Sequence, residues 1–456
     1  MPQREHLLKI GVSGIRGVVG EFLTPQLACS FAQAFGTYVG VGRVAVGRDT
    51  RTSGEMLQHA VSCGLLAAGC EVVDLGVLPT PTIQVYVGAT GARGGMAITA
   101  SHNPPEYNGL KLFNARGLFL NSYARGEMLD LYHQSEFRRA TNAQMGHVRR
   151  DFETPMRLHI ERVLRYVDAG RIRGRRFRVA LDAVNGAASV MSPVFLRDTL
   201  GCELEAISID PNQPFPREAE PKPETLGELA ALVPRAKCDV GFAHDPDGDR
   251  LAIVDETGRV LDNDDVLALA VDAALRRLPG DVVVNLTTSS AIDDIARRYG
   301  RRVWRTPVGE ANVVETMEAV GAAIGGEGSG GGIIFPAVQL CRDSYTGMAF
   351  LLDRMAETGA TVSELAAQLP RYTRLLGKAA FRHGRLGALI QELEESFPEA
   401  ACDHTDGLKL ILPGAWIHVR ASNTEALLRI AVEARTEEEA GALYARVQAL
   451  FEQGTA

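Results

Sequence analysis

Three times along the chain an apolar strand runs through a short polar turn into a helix and then a second strand. Residues 44–46 lead through 47–50 into a helix ending near residue 68 and a strand at 72–73. Residues 178–181 lead through 182–186 into a helix and a strand at 204–207. Residues 282–284 lead through 286–290 into a helix ending near residue 298 and a strand at 303–304. Each unit has the length of a βαβ crossover, and a chain that repeats this unit is held to the α/β class. Each repeat then adds one more apolar strand, at 96–98, 240–243 and 322–324, and an unusual loop follows each. Ligands of open α/β sheets sit beyond the carboxyl ends of strands, so the three loops are expected to face one cleft.

After residue 368 the pattern changes. Residues 408–412, 416–419 and 427–432 read as strands, and 437–451 has helical apolar spacing (Ala440, Leu443, Val447, Leu450), which indicates a separate small α+β domain. Residues 132–151 are polar and basic and read as a surface connection. Residues 211–223 hold five prolines and read as an ordered loop. The length of 456 residues suits three or four domains of ~100–150 residues.

With 46% hydrophobic and 23% charged residues the chain can bury a sizeable core, and a net charge of -8 offers no basic excess for a nucleic-acid partner. The seven cysteines are scattered without a CxxC pair, as expected for reduced thiols in a cytoplasm. No run of 18 apolar residues suggests a membrane span, and residues 1–9 lack the apolar segment of a secretion signal.

The first loop, Ala100-Ser101-His102-Asn103-Pro104-Pro105, displays a serine before two prolines that fix the backbone in an extended or turned form. Such a serine can be a nucleophile or phosphate carrier; alone, the loop also reads as a turn that closes a strand. The second, Asp245-Pro246-Asp247-Gly248-Asp249-Arg250, puts carboxylates at alternate positions, which suits a hard divalent cation such as Mg²⁺. An acidic surface turn and a phosphatase nucleophile loop are alternatives. A calcium loop of the EF-hand type lacks its twelfth-position glutamate. The third, Gly325 to Gly332, is a glycine run carrying Glu327 and Ser329, either a sugar-hydroxyl site or a hinge. In the last domain Arg420-Ala421-Ser422-Asn423-Thr424-Glu425, followed by Arg429, offers guanidiniums, hydroxyls and turn amides, either for a phosphate or as a polar hairpin. Gly11 to Gly17 is a glycine-punctuated turn presenting Arg16.

In combination and order, these motifs resemble the α-D-phosphohexomutase superfamily over essentially the whole chain. The resemblance implies an α/β fold of three related α/β domains with mixed sheets plus a C-terminal α+β domain around a central cleft. The domains expected are 1–150 with the phosphoserine loop, 151–257 with the metal loop, 258–368 with the sugar-binding loop and 369–456 with the phosphate-binding loop. It implies a phosphosugar mutase that interconverts hexose or hexosamine 1- and 6-phosphates through an enzyme phosphoserine and a bisphosphorylated sugar. Ser101 would carry the phosphoryl group and contact the metal through it. Asp245, Asp247 and Asp249 would bind Mg²⁺, and Arg250 would contact the phosphoserine. Glu327 and Ser329 would hold sugar hydroxyls, while Arg420, Ser422, Asn423, Thr424 and Arg429 would hold the phosphate that is not reacting. Arg16 and Lys111 would stand beside the transferring phosphate as catalytic candidates for charge stabilisation or proton transfer, although Lys111 also reads as a surface lysine, and His102 would orient its loop rather than act as base. Hexose 1,6-bisphosphate is the expected activator.

The expected state is a cytoplasmic monomer or homodimer with neither nucleic-acid nor membrane partner. Glucosamine, glucose and mannose phosphates all stay open as substrates. A metal-dependent sugar-phosphate phosphatase and a catalytically silent sugar-phosphate-binding protein are the alternatives. Two positions depart from the family pattern: Gly331 stands where many members carry histidine, and Ala426 where proline is common.

Overall fold

A computed structural model describes residues 8–11, 14–380, 386–421 and 427–454. Four sheets follow one another along the chain. The first holds β1 (Leu8–Gly11), β2 (Gly14–Val18), β3 (Arg43–Arg48), β4 (Glu71–Val77), β5 (Gly94–Ile98), β6 (Tyr107–Asn114) and β7 (Val148–Arg150), in the order β1-β2-β6-β5-β3-β4-β7. The second holds β8 (Arg178–Asp182), β9 (Glu203–Ile207), β10 (Val240–His244) and β11 (Leu251–Val254), in the order β11-β10-β8-β9. The third holds β12 (Val282–Asn285), β13 (Val303–Thr306), β14 (Ile324–Glu327), β15 (Gly332–Phe335) and β16 (Gln339–Arg342), in the order β13-β12-β14-β15-β16.

One four-strand core recurs in all three. The first strand of each repeat lies between two parallel partners, β3 between β4 and β5, β8 between β9 and β10, β12 between β13 and β14. The third strand then turns back into an antiparallel fourth, β5 to β6, β10 to β11 and β14 to β15. The sheets are therefore mixed, and the serine, acidic and glycine loops occupy the same connection in each repeat.

Alternation along the strands explains the layering. Val44, Val46, Met96 and Ile98 pack on one face of the first sheet with α1 (Pro25–Val39) and α2 (Gly54–Ala67). Ala45, Ala97 and Phe113 pack on the other with Ile83, Tyr86 and Val87 of α3 (Thr80–Thr90). A strand covered on both faces reads as a continuous apolar run, which is how these strands are visible in the sequence. The second and third units share a core that includes Phe195, Phe242, Val284, Tyr345 and Phe350.

The connection at residues 132–151 is more than a surface link: its end is β7, an exposed edge strand hydrogen-bonded parallel to β4. The last unit is antiparallel, β17 (Thr373–Ala380), β18 (Ala401–Asp403), β19 (Leu408–Leu412), β20 (Ala415–Ala421) and β21 (Leu427–Ala434), in the order β17-β21-β20-β19-β18. It carries the helix Glu437–Gly454 and has its own core around Ile417, Val432 and Val447. Among the described residues no helix is long and apolar enough to cross a membrane.

Candidate active site

β5 is buried along its whole length and delivers the chain to Ser101, a fully buried serine with φ of 50°. Left-handed backbone is uncommon for a residue other than glycine and marks a held conformation. The Ser101 amide donates to Thr99 Oγ1 at 2.9 Å, and its hydroxyl donates to Asp245 Oδ2 at 2.8 Å, across to the second repeat. Arg16 of β2 lies on the same loop, with Nη1 3.1 Å from Asn103 Oδ1 and 3.3 Å from the Ala100 carbonyl.

Asp245, Asp247 and Asp249 are buried, and one oxygen of each lies within 4.8 Å of an oxygen of the others. The turn closes through Gly248 N to Asp245 O at 3.0 Å, with Gly248 at φ of 66°. Lys111 of β6 donates to Asp247 Oδ2 at 2.6 Å and Asp249 Oδ2 at 2.9 Å. Arg342, at the end of β16, donates to Asp249 Oδ2 at 2.9 Å and pairs with Glu310 at 3.0 Å. Thr80, at the start of α3, donates its hydroxyl to Asp247 Oδ2 at 2.6 Å.

Burial, reinforced by Asp247 and Asp249, pushes the Asp245 carboxyl well above the usual carboxylate range. Burial acts the same way on Asp247 and Asp249, but Lys111 overrides it at the former and Arg342 at the latter, so both are held below that range. Asp247 Oδ1 and Asp249 Oδ1 remain buried without a hydrogen-bond partner. Orphaned anionic oxygens beside a third carboxylate form a hard-oxygen donor set that fits a divalent cation of the Mg²⁺ type.

Arg250 spans Glu220 Oε1 at 2.5 Å and His102 Nδ1 at 2.9 Å. A guanidinium can only donate, so Nδ1 accepts and the ring proton sits on Nε2. Burial, then Arg250, push the His102 imidazole down to about 3, so the ring is neutral.

In the third repeat Glu327 closes β14, its Oε1 accepting from Asn285 Nδ2 at 3.0 Å and Gly309 N at 2.8 Å. Gly328 is required by close approach, since a Cβ there would lie 1.7 Å from Asp264 Oδ1. Gly331 has φ of 64°. In the last unit Arg420 and Arg429 face each other directly across β20 and β21. Like charges so placed repel unless an anion lies between or near them.

Family profiles match the chain in order: phosphoglucomutase/phosphomannomutase alpha/beta/alpha domain I over residues 7–139, domain II over 157–258, domain III over 262–372 and the C-terminal domain over 385–450. A probable phosphoglucosamine mutase of Methanopyrus kandleri is 40% identical, the match covering 94% of each chain. A phosphoglucomutase/phosphomannomutase of Thermococcus kodakarensis is also 40% identical, over 94% of this chain and 95% of the relative. The chain belongs to the phosphoglucomutase/phosphomannomutase family. This is a family of phosphohexomutases, isomerases of carbohydrate metabolism. A crystal structure of a phosphoglucomutase/phosphomannomutase family protein from Burkholderia thailandensis superimposes with a TM-score of 0.85 at 26% identity, covering 98% of this chain and 97% of that one.

Of the positions that the family resemblance singles out, Ser101, His102, Lys111, Arg16, Asp245, Asp247, Asp249 and Arg250 converge in one cluster between the first two repeats. Glu327 stands apart in the third repeat, in the field of Arg342, which also reaches Asp249. Ser422, Asn423 and Thr424, like the Ser329 side chain and Ala426, lie outside the described residues. Sequence reasoning missed Asp49, Arg51, Thr80, Glu220, Glu310 and Arg342. For Asp49 and Arg51 a signal existed: they lie at the turn after the first strand of a repeat, beside the serine loop. Thr80 and Arg342 gave none, because their partners belong to other repeats.

Proposed function

We propose that the protein interconverts hexose or hexosamine 1-phosphate and 6-phosphate, with Ser101 as phosphoryl carrier. The phosphorylated serine gives its phosphoryl group to the free hydroxyl of a sugar monophosphate. The resulting bisphosphate turns over in the cleft, and its other phosphoryl group returns to Ser101 Oγ. The observation that carries this reading is the buried Ser101 hydroxyl 2.8 Å from Asp245, inside a cluster of three carboxylates flanked by Lys111, Arg16 and Arg250.

Asp245, Asp247 and Asp249 would hold Mg²⁺, which supplies charge neutralisation of the phosphoryl oxygens. Lys111 and Arg16 place fixed positive charge where negative charge develops, at no reorganisation cost during transfer. His102, neutral and tied to Arg250, orients the loop. Glu327 accepts from sugar hydroxyls, and Ser329 is assigned the same task. The opposed Arg420 and Arg429, with Ser422, Asn423 and Thr424, hold the distal phosphate and so keep the bisphosphate captive while it reorients. Hexose 1,6-bisphosphate primes Ser101.

Relatives named for glucosamine, glucose and mannose phosphates define the substrates to test. ³¹P NMR with Mg²⁺, a trace of glucose 1,6-bisphosphate and each sugar 1-phosphate in parallel should show conversion to a 6-phosphate. Ser101→Ala should reduce that conversion to background. Conversion that survives in S101A, or release of inorganic phosphate alone, would overturn the reading.

A further inference from the structure

The serine loop poses a mechanical problem. Residues 101–107 contain Pro104 and Pro105, which have no amide proton, so the loop cannot tie itself together through a full set of backbone hydrogen bonds. Within it, Asn103 N reaches Ala100 O and Tyr107 N reaches Pro104 O. The carbonyls of Ser101, Asn103 and Tyr107 need partners from elsewhere, while Ser101 must be kept at positive φ.

Arg51 meets that need. Its side chain is fully buried, and each of its five N–H donors has an acceptor. Nη2 donates to Ser101 O at 2.7 Å and Asn103 O at 2.6 Å, and Nη1 to Pro104 O at 2.6 Å and Tyr107 O at 2.9 Å. Nε donates to Asp49 Oδ2 at 3.1 Å. Asp49 completes a ring: it accepts the Arg51 amide at 3.0 Å and the Thr99 hydroxyl at 2.6 Å, and Thr99 in turn accepts the Ser101 amide. Both the amide and the carbonyl of Ser101 are thus fixed by one ion pair. Phe215 of the second repeat lies 5.2 Å from the guanidinium carbon.

We propose that Arg51 is a positioning residue for phosphoryl transfer, holding the carbonyls of the serine loop so that Ser101 keeps its positive φ and its Oγ stays aimed at Asp245. The inference rests on Ser101 being the phosphoryl carrier. Arg51 touches no reacting atom; it acts through the backbone of Ser101. Without the fork the residue relaxes to negative φ, and the Cα–Cβ bond swings away from the carboxylates. Lysine cannot replace it, because a single ammonium lacks the planar spread of donors.

The test uses Arg51→Lys and Arg51→Ala in the full-length protein, with the sugar 1-phosphate that wild type converts fastest. Misplacement of a reacting atom by about 1 Å costs on the order of 100-fold, so R51K should lose about that factor in kcat. KM should stay within about twofold, because distal phosphate and sugar contacts are untouched. The rate at which glucose 1,6-bisphosphate phosphorylates Ser101, followed by intact-mass spectrometry, should fall in step with kcat. Added guanidinium should restore part of the R51A rate. Wild-type kcat in R51K, or a loss of kcat accompanied by an equal rise in KM and a broadened thermal melt, overturns the proposal. Ser101→Ala run alongside separates the two claims: an active S101A sinks the carrier reading itself, whereas an inactive S101A with an unimpaired R51K sinks only the role of Arg51.

Discussion

Lys111 is 1% exposed, and its ammonium shares two hydrogen bonds with Asp247 and Asp249. Burial alone would lower its pKa, yet the two carboxylates outweigh burial and raise it, so the side chain is charged. Breaking a buried pair by deleting one partner costs about 3–5 kcal/mol, because the remaining charge is left uncompensated. Lys111→Gln should therefore destabilise the protein by about that amount in the presence of a chelator. A cation that binds only the folded state adds stability by mass action, and an under-compensated carboxylate cluster binds it more tightly. Saturating Mg²⁺ should accordingly shrink the deficit of K111Q. Urea melts of wild type and variant in EDTA and in Mg²⁺ measure both effects. An identical deficit in the two conditions would show that Lys111 is not the counter-charge of the triad.

At the scale of elements, the site is assembled where the ends of strands and helices from different repeats meet. α3 begins with Thr80, whose amide donates to the Asp247 carbonyl at 2.9 Å and whose hydroxyl donates to Asp247 Oδ2 at 2.6 Å. Removing a hydrogen-bond partner that orients a metal ligand typically costs about 10–100-fold in affinity. Thr80→Val should weaken divalent-cation binding in that range while leaving the cooperative melt in EDTA little changed, as titration with Mn²⁺ followed by paramagnetic resonance would show. An unchanged affinity would mean that the loop orients Asp247 unaided. Thr80 also marks the limit of what could be read from the sequence. The repeats and their three loops were legible because each is a local pattern, an apolar strand followed by an odd turn, and that pattern recurs. The Thr80–Asp247 bond spans 167 residues and the Arg342–Asp249 bond 93, and neither partner carries any local mark of the other. β7 was hidden for a different reason. Its three residues are all exposed, so they lack the apolar alternation that betrays a strand.

For the whole molecule, buried and part-buried hydrogen bonds tie the last unit to the third repeat. Lys409 of β19 is buried, which pushes its amine well below the ordinary lysine range, and its Nζ donates to the Leu286 carbonyl at 2.5 Å and lies 4.2 Å from the Trp416 ring centroid. Glu433 accepts from both Trp416 Nε1 and Ser290 N at 2.8 Å. Paired with Lys409 across β19 and β20 lies His418, 1% exposed, whose Nε2 donates to the Asp406 carbonyl at 2.7 Å. Asp406 Oδ2 accepts from Val308 N at 3.1 Å, one residue before the glycine amide that holds Glu327. His418 thus steadies a turn that touches the support of Glu327 in the glycine loop. Burial lowers its pKa below the ordinary value of 6.5, with the Asp406 contacts opposing and Lys409 and Arg420 adding to the shift. A histidine whose folded pKa lies below its unfolded one binds its proton first in the unfolded chain. Its stabilising contribution is full above about pH 6.5 and is lost as pH falls toward the folded value. One such proton tilts stability by up to about 1.4 kcal/mol per pH unit. Asparagine can still donate to Asp406 but does not titrate. His418→Asn should therefore follow wild type above pH 7 with a constant offset, and should gain on it steadily between pH 6.5 and 5. Urea midpoints followed by tryptophan fluorescence in a Trp304→Phe background, which leaves Trp416 as the sole indole, at half-unit intervals of pH would trace the two curves. Parallel curves would mean that His418 titrates alike in the folded and unfolded chain, and that the docking of the last unit is indifferent to its charge.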